Sequence, residues 1–371
     1  MNARFLCVIA LITSSCTTYA GEPYSDDSGL NLYGAIDSGF SSTRVHDPDG
    51  TRQKLTGLIS GGLEDSVLGF RGREMVSDGW AAVFQLETEI DNRIGDLDDN
   101  KYFFSRTAWL GLASERFGEI RLGRQHTVAQ EFSEDLEIAS WKAMGMEATF
   151  LASEPYSIDN AISYLTPKWG GLRFGASHSF DVTDDQTSGS RSPAYSAALK
   201  YERGPTIVAI TWDKTILSDS VLTDPHNPEA WQLGVSYDFE IARLSLAWSR
   251  QKNGYVGLNG GDPGDLGLGL GAPEFANGGR LDAFLLGVAI PLSARGTLLA
   301  QWSLVKPDWS WGNGEKAENG QVATLGYVFT LSPRTRLYAA AGLASRYSLD
   351  DQIVQGQGTT TRVMAGIHHR F

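Results

Sequence analysis

Residues capable of covalent chemistry are present but not arranged for it. The six histidines are His46, His126, His178, His226, His368 and His369, and they fall on scattered runs without the spacing of a hydrolytic triad or a metal pair. Nothing completes a G-x-G-x-x-G fingerprint after Gly269. The segment Gly260-Gly261-Asp262-Pro263-Gly264-Asp265 echoes a calcium-binding glycine/aspartate repeat but occurs once, where such chemistry needs repeats. The stretch from Gly254 to Gly279 therefore reads as a flexible outer loop, and no metal or cofactor is expected. What remains is charge opposed to charge. Glu131, Glu134, Asp135, Glu137, Glu147 and Glu154 crowd one stretch. Arg71, Arg106 and Arg124 lie on runs whose inward parity follows from the alternation of side chains, and Arg173 can join them. Opposed charges across a narrow gap order water and favour polar over apolar solutes, and rings of charged side chains set ion preference.

Two strand-like runs, Phe103 to Ala113 and Phe117 to Gln125, deliver the chain into the acidic stretch, His126 to Ser157, and a new strand begins near Ile158. A structureless loop of roughly thirty residues is uncommon in a compact domain and is usually functional. The expectation is that it folds inward and narrows a water-filled tube made by the rest of the chain, with the acids facing the arginines.

The rest of the chain has a period of two. Trp80, Ala82, Phe84, Leu86 and Ile90 alternate with Gln85, Glu87, Glu89 and Asp91, and Trp231, Leu233, Val235, Tyr237 and Phe239 alternate with Gln232, Gly234, Ser236 and Asp238. Such runs have one greasy and one polar face. A soluble sandwich would bury the greasy faces together, and its aromatics could then stack on sugars. A membrane barrel would turn them to lipid. The runs are about ten residues long, enough to span a hydrocarbon layer when tilted. Their polar faces are charged along their length. Aromatics gather at run ends (Trp80, Tyr164, Tyr201, Tyr237, Phe239, Tyr327, Phe329), and short connections alternate with long ones. These features favour an all-β transmembrane antiparallel barrel of about sixteen strands. The hairpin pattern Leu286-Gly287 through Ser293 and Arg295 to Leu298 reappears as Leu325-Gly326 through Ser332 and Arg334 to Leu337, with a fainter copy from Leu233-Gly234 to Leu244. One hairpin template is reused around a wall.

The chain opens with a basic residue (Arg4), an apolar run (Phe5 to Ile12) and Thr18-Tyr19-Ala20 before Gly21, the pattern of a secretory signal over residues 1–20 followed by a barrel domain over 21–371. Acylation of Cys16 as a lipoprotein is the competing reading. Cleavage removes both cysteines, so no disulfide is expected. It also removes Arg4 and no acid, so the formal net charge of −13 becomes −14. An acidic chain without clustered Lys and Arg is a poor binder of nucleic acid.

Several segments, in order and at strand spacing, carry a resemblance. They are Asn31-Leu32-Tyr33-Gly34-Ala35-Ile36-Asp37, Leu68-Gly69-Phe70-Arg71-Gly72, Ala82-Val83-Phe84-Gln85-Leu86-Glu87, Ser105-Arg106-Thr107-Ala108-Trp109, Phe117 to Gln125, Tyr237-Asp238-Phe239 and the terminal Phe371. Over essentially the whole mature chain the sequence resembles the general porins of Gram-negative outer membranes, particularly the beta-proteobacterial type. The resemblance implies a sixteen-stranded homotrimer among outer-membrane lipid and lipopolysaccharide, with its third long loop in the lumen. It also implies passive diffusion of ions and small hydrophilic solutes, no cofactor and no catalysis. A solute-specific channel, or an outer-membrane barrel enzyme, is the alternative. The chain departs from the family pattern where an arginine commonly precedes Leu-Gly-Phe-Arg-Gly (here Val67) and where another follows the inward loop (here Ser157), while Arg106 matches the remaining constriction arginine. His369 stands where the last strand usually has an aromatic. The thinned basic ladder puts the usual anion preference in question.

Overall fold

The structure is a computed structural model that describes residues 29–46, 50, 52–97, 102–141, 144–150, 157–182, 191–218, 226–253, 279–308, 316, 318–346 and 358–371. The signal expected over residues 1–20, the glycine-rich loop and Glu154 lie outside the described residues. Strand β1 (Gly29–His46) turns back into β2 (Arg52–Ser60), which is followed by β3 (Val67–Ser77), β4 (Trp80–Asp91), β5 (Asp96–Leu97), β6 (Thr107–Ser114) and β7 (Gly118–Gln125). Two short helices, α1 (Val128–Ser133) and α2 (Glu147–Phe150), precede β8 (Ile158–Leu165), β9 (Leu172–Ser179), β10 (Ala194–Arg203) and β11 (Thr206–Thr215). The chain continues through β12 (Glu229–Asp238), β13 (Arg243–Lys252), β14 (Arg280–Pro291), β15 (Gly296–Pro307), β16 (Gly320–Ser332), β17 (Thr335–Ser345) and β18 (Thr359–Arg370).

All strand pairs are antiparallel, and β1 pairs with β18 from Ala35↔Arg370 to His46↔Thr359, which closes the sheet. Segments β2 and β3 pair with successive stretches of the same edge of β1, Ser38 to His46 and Gly29 to Ala35, and β5 pairs only with the end of β4. The eighteen segments thus form a closed barrel of sixteen strand positions. Closure leaves no unpaired edge, and Gly34 and Phe371 exchange backbone hydrogen bonds of 3.3 and 3.0 Å at the seam.

The period-two reading places the faces correctly. Leu30, Leu32, Phe40, Leu110, Leu122, Leu233, Leu325 and Val363 are exposed on the outside, while Tyr33, Asp37, Glu87, Gln232, Ser249 and Gln301 on the opposite parity are buried. At the end with short turns, Trp80 stacks on Phe117 with ring centroids 5.6 Å apart, and Tyr164 Oη donates to the Phe117 carbonyl at 2.7 Å. This is the arrangement expected of an interfacial aromatic girdle.

The segment between β7 and β8 is not structureless. Thr127 caps α1 by accepting from the Gln130 amide at 3.2 Å, and a 3-10 turn follows over Glu134–Leu136. Its apolar side chains pack on the inner parity of the wall. Val128 and Phe132 lie against Gly175, Leu136 against Gly234, Ile138 against Gly287, Trp141 against Gly326 and Met144 against Gly342. A Cβ on Gly234, Gly287, Gly326 or Gly342 would come within 2.1–2.5 Å of the seated side chain. Glycine therefore opens the notch that receives each anchor. Three of these glycines belong to the repeated Leu-Gly pairs: Leu233, Leu286 and Leu325 face out, and Gly234, Gly287 and Gly326 face in. Trp141 holds a φ of 50°, a costly backbone for a bulky residue, sustained by the fully buried indole.

Trp141→Ala removes that anchor and should cost about 3–5 kcal/mol of seating free energy. Amide exchange in residues 128–141 should accelerate while the exchange of β14–β17 stays slow. Equal acceleration in both would mean the segment and the wall open as one unit.

Candidate functional site

Among the described residues, charged groups of the inner face form four clusters, and in each the arginine or lysine has a carboxylate or carbonyl partner. Arg106, just before β6, is held by three carboxylates: Glu87 at 2.7 Å, Asp65 at 2.8 Å and Glu89 at 3.7 Å. Glu87 also accepts from Tyr33 Oη at 2.7 Å, so its orientation is fixed. Ser157 Oγ donates to the Arg106 carbonyl at 2.7 Å, which shows what occupies the position where an arginine was expected.

The second cluster is centred on Arg121 of β7, which contacts Glu119 at 2.6 Å and Glu131 of α1 at 2.7 Å and lies 4.7 Å over the Trp109 ring. Arg173 of β9 approaches the other oxygen of Glu131 at 3.9 Å. The third joins Lys200 of β10 to Asp135, whose carbonyl also accepts from Arg243 of β13. In the fourth, Glu64 meets Arg336 at 3.2 Å and Arg370 at 2.5 Å, with the buried His368 ring 3.6 Å away.

Burial, reinforced by the neighbouring Asp135 carboxylate, pushes Glu134 well above the usual carboxylate range, and its Oε1 has no hydrogen-bond partner. Burial also acts to raise Glu131, but Arg121 and then Arg173 hold it below that range. His126 is pushed down to about 4 by burial and by the positive Arg106, so it is neutral at pH 7.

The structure brings Arg106, Arg173, Glu131 and Asp135 into these clusters, with Glu134 beside them. It does not do the same for every residue singled out above. Arg124 was assigned inward parity, but it lies two residues after outward Leu122 and opposite Ala108, on the parity of outward Leu110 and Leu122. There it pairs with Asp159 at 2.7 Å and lies 4.4 Å over Tyr102. Arg121, on the alternate parity and passed over in the sequence, is the arginine of β7 that faces in. Glu137 turns back into its own segment, where Oε1 accepts from the Met146 amide at 2.5 Å. Arg71 faces in but sits 5.1 Å over the Tyr33 ring. Glu147 lies on α2, its side chain outside the described residues. The turn Gly61–Ser66 went unrecognised; its signal was a Gly-Gly pair followed by two acids inside a strand-like run.

The comparisons with known proteins agree with this architecture. A family model described as Gram-negative porin matches residues 7–347. An outer membrane porin protein of Bordetella pertussis is 30% identical over 95% of this chain and 97% of its own length. Outer membrane porin protein 32 of Delftia acidovorans is 26% identical over 93% and 94%. Among solved structures, an anion-selective porin from Comamonas acidovorans superimposes with a TM-score of 0.70 at 25% identity, covering 93% of this chain and all of the other.

Glu131→Gln and Glu134→Gln should act with opposite sign. The folded pKa of Glu131 is depressed, so its contribution is present above the ordinary carboxylate pKa and lost as pH falls. That of Glu134 is raised, so its contribution is present at low pH and lost as pH rises. At pH 7 the first variant should therefore loosen α1, by about 1–3 kcal/mol for a broken buried charged hydrogen bond, and the second should tighten it. Hydrogen exchange of residues 128–138 at pH 4 and pH 7 reads both, and a common sign at pH 7 would reject the assignment.

Proposed function

We propose, from the premise that this chain belongs to the Gram-negative porin family and is an outer-membrane channel for passive diffusion, that its selectivity is weak and leans toward cations. On this reading the inner face encloses a water-filled lumen. The segment from His126 to Ser157, seated by its glycine notches, narrows that lumen, and Arg106, Arg121, Arg173 and Lys200 line it together with Glu131, Glu134 and Asp135. The solutes are ions and small hydrophilic molecules moving down their gradients, with no catalytic step.

The observation that carries this is the environment of Arg106. One guanidinium stands among three carboxylates, two of them closer than 3 Å, so the local field is negative despite the arginine. Arg121, Arg173 and Lys200 have carboxylate partners as well. A ring of charge sets the preference of a pore only through what it leaves uncompensated. The anion preference named for the Comamonas porin therefore does not transfer with the fold.

We further propose assembly as a homotrimer in outer-membrane lipid and lipopolysaccharide. Phe40, Leu325, Ala339, Ala341 and Ala365 line a shallow apolar hollow of about 520 Å³ on the outside of β1 and β16–β18, a surface suited to contact with another subunit.

Planar-bilayer reversal potential under a KCl gradient tests the selectivity. Weak cation preference is expected, and strong anion preference would refute it. Arg106→Ala should move the reversal potential further toward cations; an unchanged value would remove Arg106 from the ion path.

A further inference from the structure

Among the described residues, the wall is interrupted between β2 and β3 by a turn that leaves the line of the sheet. Segments β2 and β3 lie end to end on β1, yet residues 61–66 leave the line between them. The excursion is built around Asp37 of β1, which is fully buried. Its two carboxylate oxygens accept from three consecutive backbone amides, Gly62 at 2.9 Å, Leu63 at 3.0 Å and Glu64 at 3.2 Å, and from Tyr338 Oη at 2.6 Å. Successive amides wrapped around an anion form a nest. Here the anion is the protein's own side chain, so the turn is fixed in place.

Two glycines make the turn possible. Gly61 has a φ of +72°, and a Cβ on Gly62 would lie 1.9 Å from the Tyr338 oxygen. The outcome is the delivery of two acids to basic residues far away in sequence. Asp65 reaches Arg106, and Glu64 reaches Arg336 and Arg370. The Leu63 carbonyl also accepts from Ser140 Oγ at 2.8 Å, tying the turn to the segment that bears the acidic loop.

We infer that the 61–66 turn is a specificity element, a second insertion into the ion path that cancels part of the basic wall and thereby hinders the passage of small anions such as chloride, carboxylates and phosphates. This deepens the selectivity reading above and rests on its assignment of the inner face to the ion path. A turn meant only to fill space would need neither acid. A strand meant only to close the barrel would need no turn. Burying Asp37 in a nest holds Glu64 and Asp65 where they meet the arginines without a change of backbone.

The test is reversal potential of the full-length channel in planar bilayers, in KCl gradients centred near 0.1 M and near 1 M, for wild type, Glu64→Gln, Asp65→Asn and the double variant. Each substitution should raise the chloride-to-potassium permeability ratio, the double by roughly two- to fivefold at the lower salt and less at the higher, where screening shortens the reach of a charge. Glu202→Gln, which breaks an exposed pair with Lys168 near a short turn, should leave the ratio unchanged. A double variant that does not fold passes the question to the two single ones, from which the same sign is required. If neither shifts the ratio toward anions, the inference is overturned. The shift is read against wild type, so an anion-preferring wild type would sink the selectivity reading and leave this one standing.

Discussion

The closure of β1 on β18 governs everything else in this molecule. In hydrocarbon an unpaired backbone amide or carbonyl has no water to turn to, so a sheet that crosses a membrane must end on itself. Once it does, each strand has one side toward lipid and one toward the interior, and every side chain is committed by its parity. The chain finishes accordingly, with Phe371 exchanging backbone hydrogen bonds with Gly34. A sheet with free edges could tolerate a slipped register. Here a slip would have to travel around the whole ring.

The segment from β7 to β8 packs its side chains on the inner parity of the wall. It is apolar where it touches the wall: Leu136, Ile138, Trp141, Met144 and Phe150 form one cluster with Leu285, Leu299, Val322 and Ala340. This explains an otherwise odd fact, that so many inward positions of β11–β17 are small and apolar. They are the floor on which the segment sits. The same segment carries Glu131 and Asp135 to Arg121 and Lys200, so packing and charge placement are achieved together. Asp37 does the equivalent for the 61–66 turn from the other side, and Trp141 and Tyr338, with ring centroids 6.2 Å apart, join the two systems.

Much of this was legible in the residues. Alternation gave the faces because lipid and water make opposite demands on neighbouring side chains. Connection lengths gave the strand count, and Arg106, singled out in the sequence, sits among three carboxylates. Legibility failed at particular charged residues. Arg124 was assigned the face that Arg121 takes, although alternation from Leu122 turns Arg124 outward, and Glu137 accepts from the Met146 amide within its own segment. The repeated Leu-Gly pairs were visible as a hairpin template, but nothing local says that their glycines are notches for the side chains of a distant segment.

The amino-acid sequence alone therefore determined the closed antiparallel barrel, its outward face and the place along the chain of the long β7–β8 connection, because these follow from period-two patterning and spacing along the chain. Tertiary structure alone decided which charges cancel. Arg106 meets Asp65 and Glu87, and Glu64 meets Arg336 and Arg370. Coulomb interactions depend on separation in space, and the fold brings these residues within a few ångströms across long stretches of chain.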